Sequence, residues 1–249
     1  MERGAWSVTN TLMRIHSLTS RLFGCVTLAL IAAVPLGAQQ TSGDWANLAK
    51  FRDADAQLAA PAPGEHRVVF MGNSITELWA PLFSTLFPNK PYIGRGISGQ
   101  TTPQMLVRFR QDVVDLHPSV VVILGGTNDI AGNTGESTLE MIEDNIASMT
   151  EIAKANGIRV VLASVLPASD YPWRRGREPA PKIIALNKWI EQYASRMGAV
   201  YCDFYSAMSD AQGGMKPELS KDGVHPNQAG YAVMAPLAVV AIDRALAMK

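Results

Sequence analysis

Cysteine is nearly absent from this chain: Cys25 and Cys202 are the 2 cysteines in 249 residues. If the segment carrying Cys25 is removed, as argued below, no internal disulfide is available and stability must come from a packed core. A surplus of charge is also lacking, because 22 lysines and arginines face 22 aspartates and glutamates. That balance excludes a general pull toward nucleic acid or an anionic membrane, so partners must be sought at a local site. There is no glycine loop of Walker or dinucleotide type, which argues against a flavin or nucleotide site. Internal repeats and low-complexity tracts are missing too. A composition 47% hydrophobic and 18% charged is ordinary for a globular chain, so disorder has no support, and the length suits one sizeable α/β domain.

The N-terminal apolar run is shorter than the roughly twenty residues that span a bilayer as a helix. This uncharged run, Leu22 to Leu36, follows Arg14 and Arg21 and precedes Gly37-Ala38-Gln39. This pattern predicts a signal peptide over residues 1–38, cleaved near Ala38, and a secreted or periplasmic protein with no stable membrane insertion of the mature domain. An uncleaved anchor is the alternative. Met13 would start a leader of more usual length than Met1 does. Lipidation at Cys25 is not expected, because most of the apolar run follows it.

Residues 39–66 form a lead-in: a short helix around Trp45 to Phe51, then a stop at Pro61-Ala62-Pro63-Gly64. Across 67–249, short Val- and Ile-rich runs alternate with helical stretches, which is the signature of a parallel sheet covered on both faces. Strands are expected at Arg67–Met71, Pro91–Ile93, Val120–Leu124, Arg159–Val165 and Ala199–Asp203. Helices are expected from Thr102-Pro103 to about Leu116, after the capping-box spacing of Ser137-Thr138-Leu139-Glu140, from Pro181 to Met197, and from about Gln228 to Met248. Pro236 should kink or split the last one. The fold class is therefore α/β, a three-layer α/β/α domain of flavodoxin-like type with a five-stranded parallel sheet of order 2-1-3-4-5.

In such a sheet the functional crevice lies beyond the carboxyl ends of the strands, at the switch point. Three segments fall there. Gly72-Asn73-Ser74-Ile75 follows the first strand and puts a serine on a tight strand-to-helix turn, although serine in that setting is also a common helix cap. Gly125-Gly126-Thr127-Asn128-Asp129 follows the third strand and offers an amide to an oxyanion, or a turn cap. In Asp222-Gly223-Val224-His225-Pro226 an aspartate three residues before a histidine can orient the imidazole, which leaves the other ring nitrogen to take a serine proton. The joint occurrence favours chemistry over separate structural roles.

Together these segments resemble the motif blocks of the SGNH or GDSL hydrolase superfamily, from roughly Arg67 to the C-terminal helix. Block one resembles Gly72-Asn73-Ser74-Ile75, and block two resembles Gly96-Ile97-Ser98-Gly99-Gln100-Thr101. Block three resembles Gly126-Thr127-Asn128-Asp129, and block five Asp222-Gly223-Val224-His225. The resemblance implies ester hydrolysis without metal or other cofactor, with Ser74 as nucleophile, His225 as base and Asp222 as its orienting acid. It also implies an oxyanion hole formed by Ser74, Gly99 and Asn128. Asn73 stands where the family often has aspartate, a change in local electrostatics more than in catalytic groups. Within the superfamily the chain looks most like acylhydrolases and acetylesterases related to platelet-activating-factor acetylhydrolases, which implies short acyl chains on a small-molecule or polysaccharide ester. A lipid ester is the alternative substrate, and a non-catalytic carbohydrate-binding module the alternative of another class. Asn73, Tyr171, Trp173 and Arg174 are the expected substrate-binding residues; the last three sit on the loop Pro167 to Pro181, whose aromatic and arginine side chains can also serve as an anchor and a solvated surface.

Overall fold

The computed structural model describes residues 43–248, so the expected leader, Cys25 and both candidate start methionines lie outside the described residues. Five strands, β1 (Val68–Gly72), β2 (Tyr92–Gly96), β3 (Val120–Leu124), β4 (Arg159–Ala163) and β5 (Val200–Cys202), form a parallel sheet in the order β2-β1-β3-β4-β5. This is the expected order. The helices are α1 (Arg52–Gln57), α2 (Ser74–Trp79), α3 (Phe83–Leu86), α4 (Thr102–Asp112), α5 (Thr127–Ala131), α6 (Leu139–Ala155), α7 (Pro179–Met197), α8 (Tyr205–Met208) and α9 (Gln228–Ala247).

Side chains alternate across each strand, and the two cores follow from that period. Val69, Met71, Val121, Ile123, Val160 and Leu162 point to one face, where Met105 and Phe109 of α4, Ile142 and Ile146 of α6, and Leu186 and Ile190 of α7 cover them. Val68, Phe70, Val120, Val122 and Val161 point to the other, against Ile75, Trp79, Phe83, Met234, Ala238 and Ile242. Helix α9 is long and apolar enough to cross a membrane, but here it packs on the sheet as a core helix. It runs through Pro236 without a break, which corrects the expected split. Pro236 sits on the exposed face, as does Ala232, whose carbonyl the proline leaves without an intrahelical donor.

The lead-in also departs from expectation. Residues 44–50 make turns, and the helix comes later, at Arg52–Gln57. Asn47 takes the left-handed conformation, with φ of 56°, and the Asp44 carboxylate accepts the N–H groups of Leu48 and Ala49, both at 2.6 Å. Both features end a helix before it propagates. Strand β4 stops at Ala163 because Asn187 of α7 takes over: its Oδ1 accepts the Val165 N–H at 2.7 Å and its Nδ2 donates to the Val165 carbonyl at 2.9 Å.

Register brings the functional loops together. Gly72 pairs with Gly96 on one side and Leu124 on the other, so three chain segments leave the sheet at one level. The β2 end fits closely under α2. A Cβ on Gly96 would lie 2.7 Å from the Asn73 carbonyl oxygen.

Candidate active site

Ser74 is the first residue of α2. Asn73 caps that helix, its Oδ1 accepting the Ile75 N–H at 3.1 Å. The Ser74 Oγ lies 2.9 Å from His225 Nε2, across 151 positions of chain. On the far side of the ring, His225 Nδ1 is 2.6 Å from Asp222 Oδ2. The other carboxylate oxygen accepts the N–H groups of Val224 at 3.0 Å and His225 at 2.8 Å. Burial alone would push the Asp222 carboxyl up, but these N–H groups and the imidazole outweigh it and bring the carboxyl down to about 2. Asp222 therefore stays ionised at neutral and mildly acidic pH, which favours the ring tautomer with hydrogen on Nδ1 and leaves Nε2 free to accept from Ser74.

Two further links fix the histidine segment, one within it and one to the serine helix. Ser220 Oγ donates to the His225 carbonyl at 2.7 Å, closing the 220–225 loop. Tyr231, one turn into α9, donates its hydroxyl to the Ile75 carbonyl at 2.8 Å and stacks on Trp79 with ring centroids 5.6 Å apart. The start of α9 is thus fixed to the start of α2.

Gly99 has φ of 77°, the left-handed region that favours glycine. Among the described residues, neither its N–H nor that of Ser74 has an acceptor within the chain. The Asn128 side chain is buried and donates one amide hydrogen to the Gln100 carbonyl at 2.8 Å, which leaves its second for a ligand. Ser74, Gly99, Asn128 and His225 line one open cleft of about 370 Å³, together with Leu78, Ser98, Asn133 and Trp173. All five residues given catalytic or oxyanion roles in the sequence are thus either in this cleft or, for Asp222, hydrogen-bonded to a residue that is.

The four expected substrate contacts divide. Trp173 is 42% exposed, lines the cleft, donates its Nε1 to Asn133 Oδ1 at 3.1 Å and lies 5.9 Å from the His225 ring. Arg174 is exposed and lines an adjoining cleft. The expectations for Asn73 and Tyr171 are corrected. Asn73 is buried and spends its side chain on the helix cap. Tyr171 is fully buried, shares a hydrogen bond with Thr127 Oγ1 at 3.0 Å and supports Trp173 at a centroid distance of 5.1 Å.

Sequence reasoning missed the residue beneath the site. Arg108 of α4 is fully buried. Its Nη2 donates to the carbonyls of Gly72 at 2.8 Å and Arg95 at 2.9 Å, its Nε to Gln100 Oε1 at 2.6 Å, and its Nη1 to Asp112 Oδ2 at 2.8 Å. One guanidinium therefore joins the ends of β1 and β2 to the loop that carries Gly99 and receives Asn128. Asp129 supplies a second tie. Its buried carboxylate accepts the Thr102 N–H at 2.9 Å and the Thr102 hydroxyl at 2.6 Å, joining α5 to the start of α4.

Residues 70–233 match the family model of the GDSL-like Lipase/Acylhydrolase family. The solved structure of a GDSL-like lipase from Bacteroides thetaiotaomicron VPI-5482 is 48% identical, with a TM-score of 0.78, over 81% of this chain and 99% of that one. Esterase TesA of Pseudomonas aeruginosa is 26% identical over 165 residues, 63% of this chain and 73% of TesA. A catalytic mutant of an acetylxylan esterase from Geobacillus stearothermophilus, 18% identical, shares the fold with a TM-score of 0.59 over 75% of this chain and 96% of that one.

Proposed function

Because the chain belongs to the GDSL-like lipase/acylhydrolase family and is a carboxylic ester hydrolase, we propose that it is an exported esterase that removes short acyl groups, acetyl above all, from carbohydrate esters through an acyl-enzyme. The observation that carries the reading is the continuous chain of hydrogen bonds from Ser74 Oγ through His225 to Asp222, at 2.9 and 2.6 Å, opening on a cleft beside unpaired donors.

In this reading His225 Nε2 takes the Ser74 proton as Oγ attacks the ester carbonyl carbon. The carbonyl oxygen gains the negative charge, and the N–H groups of Ser74 and Gly99 and the Asn128 amide hold it. Collapse breaks the bond to the alcohol oxygen, which leaves with the proton from His225. Water then repeats the sequence on the acyl-enzyme, with His225 as base, and releases the carboxylic acid. Asp222 keeps the tautomer and offsets the charge on the imidazolium.

Acyl length is argued from the lining. Leu78 and Trp173 are the large apolar side chains among the eight residues that line the cleft, Ser74 included, too few to enclose a long hydrocarbon tail at about 0.8 kcal/mol per buried methylene. Export rests on the N-terminal sequence pattern. The test is a series of para-nitrophenyl esters from acetyl to decanoyl, followed by acetylated xylan, pectin and peptidoglycan. We expect kcat/KM to be highest at acetyl and to fall with length, with acetate released from at least one polymer. A maximum at octanoyl or longer would move the assignment to lipid esters.

A further inference from the structure

A second cleft, of about 550 Å³, adjoins the first and shares Ser98, Gly99 and Asn133 with it. Its outer wall is the turn segment before α1, and its lining includes Asp44, Trp45, Asn47, Gln104 and Arg174. We propose that this cleft is the subsite for the alcohol half of the substrate, a neutral sugar residue, with the Trp45 indole as its stacking face; the inference deepens the esterase reading above and rests on it.

The chemistry selects the ligand. Amides, a carboxylate and a guanidinium border the cleft beside one large aromatic side chain, and such a surface pairs hydroxyls at the edges of a pyranose while the indole covers its C–H face. A hydrocarbon would strip water from the Asn47 amide and the Arg174 guanidinium, which have no side-chain hydrogen bond among the described residues, and give nothing in return. A phosphate or carboxylate ligand is disfavoured because the Asp44 carboxylate lines the same cleft as Arg174. Continuity matters equally: a ligand whose acyl carbon sits at Ser74 reaches this cleft past Ser98 and Gly99 without leaving the surface.

The segment is also built to hold still. Three glutamine side chains donate to its carbonyls at 2.7 Å each: Gln104 to Trp45, Gln100 to Ala46 and Gln111 to Leu48. Lys50 bridges to Glu77 at 2.7 Å, and Glu77 in turn accepts the Ser98 N–H at 2.7 Å. Trp45 nevertheless remains 48% exposed. With its backbone held in place, the segment can present the indole to a ligand without the cost of ordering a loose loop, which would weaken binding.

The experiment uses acetylated xylo-oligosaccharide, acetylated pectin oligomer and an O-acetylated peptidoglycan fragment. Binding is measured by calorimetry on the Ser74→Ala protein, which separates recognition from turnover. At least one of the three should bind, and adding Trp45→Ala should weaken it at least about tenfold, while Trp45→Phe restores most of the loss. In the active enzyme, Trp45→Ala should lower the ratio of kcat/KM for that sugar ester to kcat/KM for para-nitrophenyl acetate by a similar factor. No binding by any of the three, or binding unaffected by Trp45→Ala, overturns the subsite. Failure of the catalytic reading appears elsewhere, as turnover that survives Ser74→Ala.

Discussion

Replacing Ser74 with alanine should lower kcat on para-nitrophenyl acetate by a factor on the order of 10⁶, the size seen when a serine nucleophile is removed from a triad that works as a unit. The loss should be this large because the variant removes the atom that forms the acyl-enzyme. The backbone N–H at position 74, the Gly99 N–H and the Asn128 amide all remain, so a small residual rate from polarising the carbonyl should persist. The fold should not suffer. The Ser74 hydroxyl bonds to His225, while the cap from Asn73 and the packing of Ile75 and Trp79 do not depend on it. The thermal midpoint should therefore stay close to that of the parent. A variant that turns over at a tenth of the parent rate or better would mean that Ser74 is not the nucleophile.

The largest structural effect should come from Arg108. Replacing it with methionine leaves the Asp112 carboxylate buried without its cation, both side chains being fully buried in the parent. It also strips the carbonyls of Gly72 and Arg95 of a shared donor. Breaking a buried ion pair from one side costs about 3–5 kcal/mol, or roughly 6–20 °C in thermal midpoint for a domain of this size. The milder Arg108→Lys keeps a positive charge near Asp112 but lacks the fork that reaches Gln100 and two carbonyls at once. The Gln100 loop, whose carbonyl holds the Asn128 amide, then loses its anchor. We expect kcat to fall about ten- to hundredfold, with KM changing less, as for a displaced transition-state donor. An unchanged midpoint in Arg108→Met, measured by calorimetric or fluorescence melting, would show that the ion pair does not stabilise the fold. A KM effect larger than the kcat effect in Arg108→Lys would remove the positioning role.

Much of this arrangement is legible in the amino-acid sequence, for reasons that differ along the chain. Strand β3 can be read to the residue because Val120–Leu124 is an unbroken apolar run buried on both faces. Strand β2 is readable at its start alone, since Gly94-Arg95-Gly96 carries no apolar signal; its pairing is imposed by Gly72 and by Arg108 gripping the Arg95 carbonyl. Segments with chemistry stand out because Ser74, Asn128 and the Asp222/His225 pair each follow a recognisable local pattern. Arg108 is harder to see. Beside Arg110 it reads as one more charged residue on a surface helix, yet Met105, Phe109 and Asp112 are buried with it at spacings of three and four. An arginine and an aspartate four apart on an otherwise apolar stripe are the signal that marks it. Tyr171 misleads in the opposite direction. An aromatic two residues from a cleft-lining tryptophan looks like a partner in binding, but at this turn its ring lies buried beside the tryptophan, tilted by 34°, and is spent on packing and on a hydrogen bond to Thr127. The lead-in hides its role most completely, because its position depends on glutamines 54, 59 and 63 residues further along the chain.

Activation of Ser74 by His225 is tested most directly by reaction with a fluorophosphonate, because the serine oxygen must displace fluoride from phosphorus for an adduct to form. Peptide mapping by mass spectrometry should find one adduct per chain, on Ser74, and labelling should slow sharply in His225→Gln. An adduct on another residue, or equally fast labelling without the imidazole, would contradict that activation.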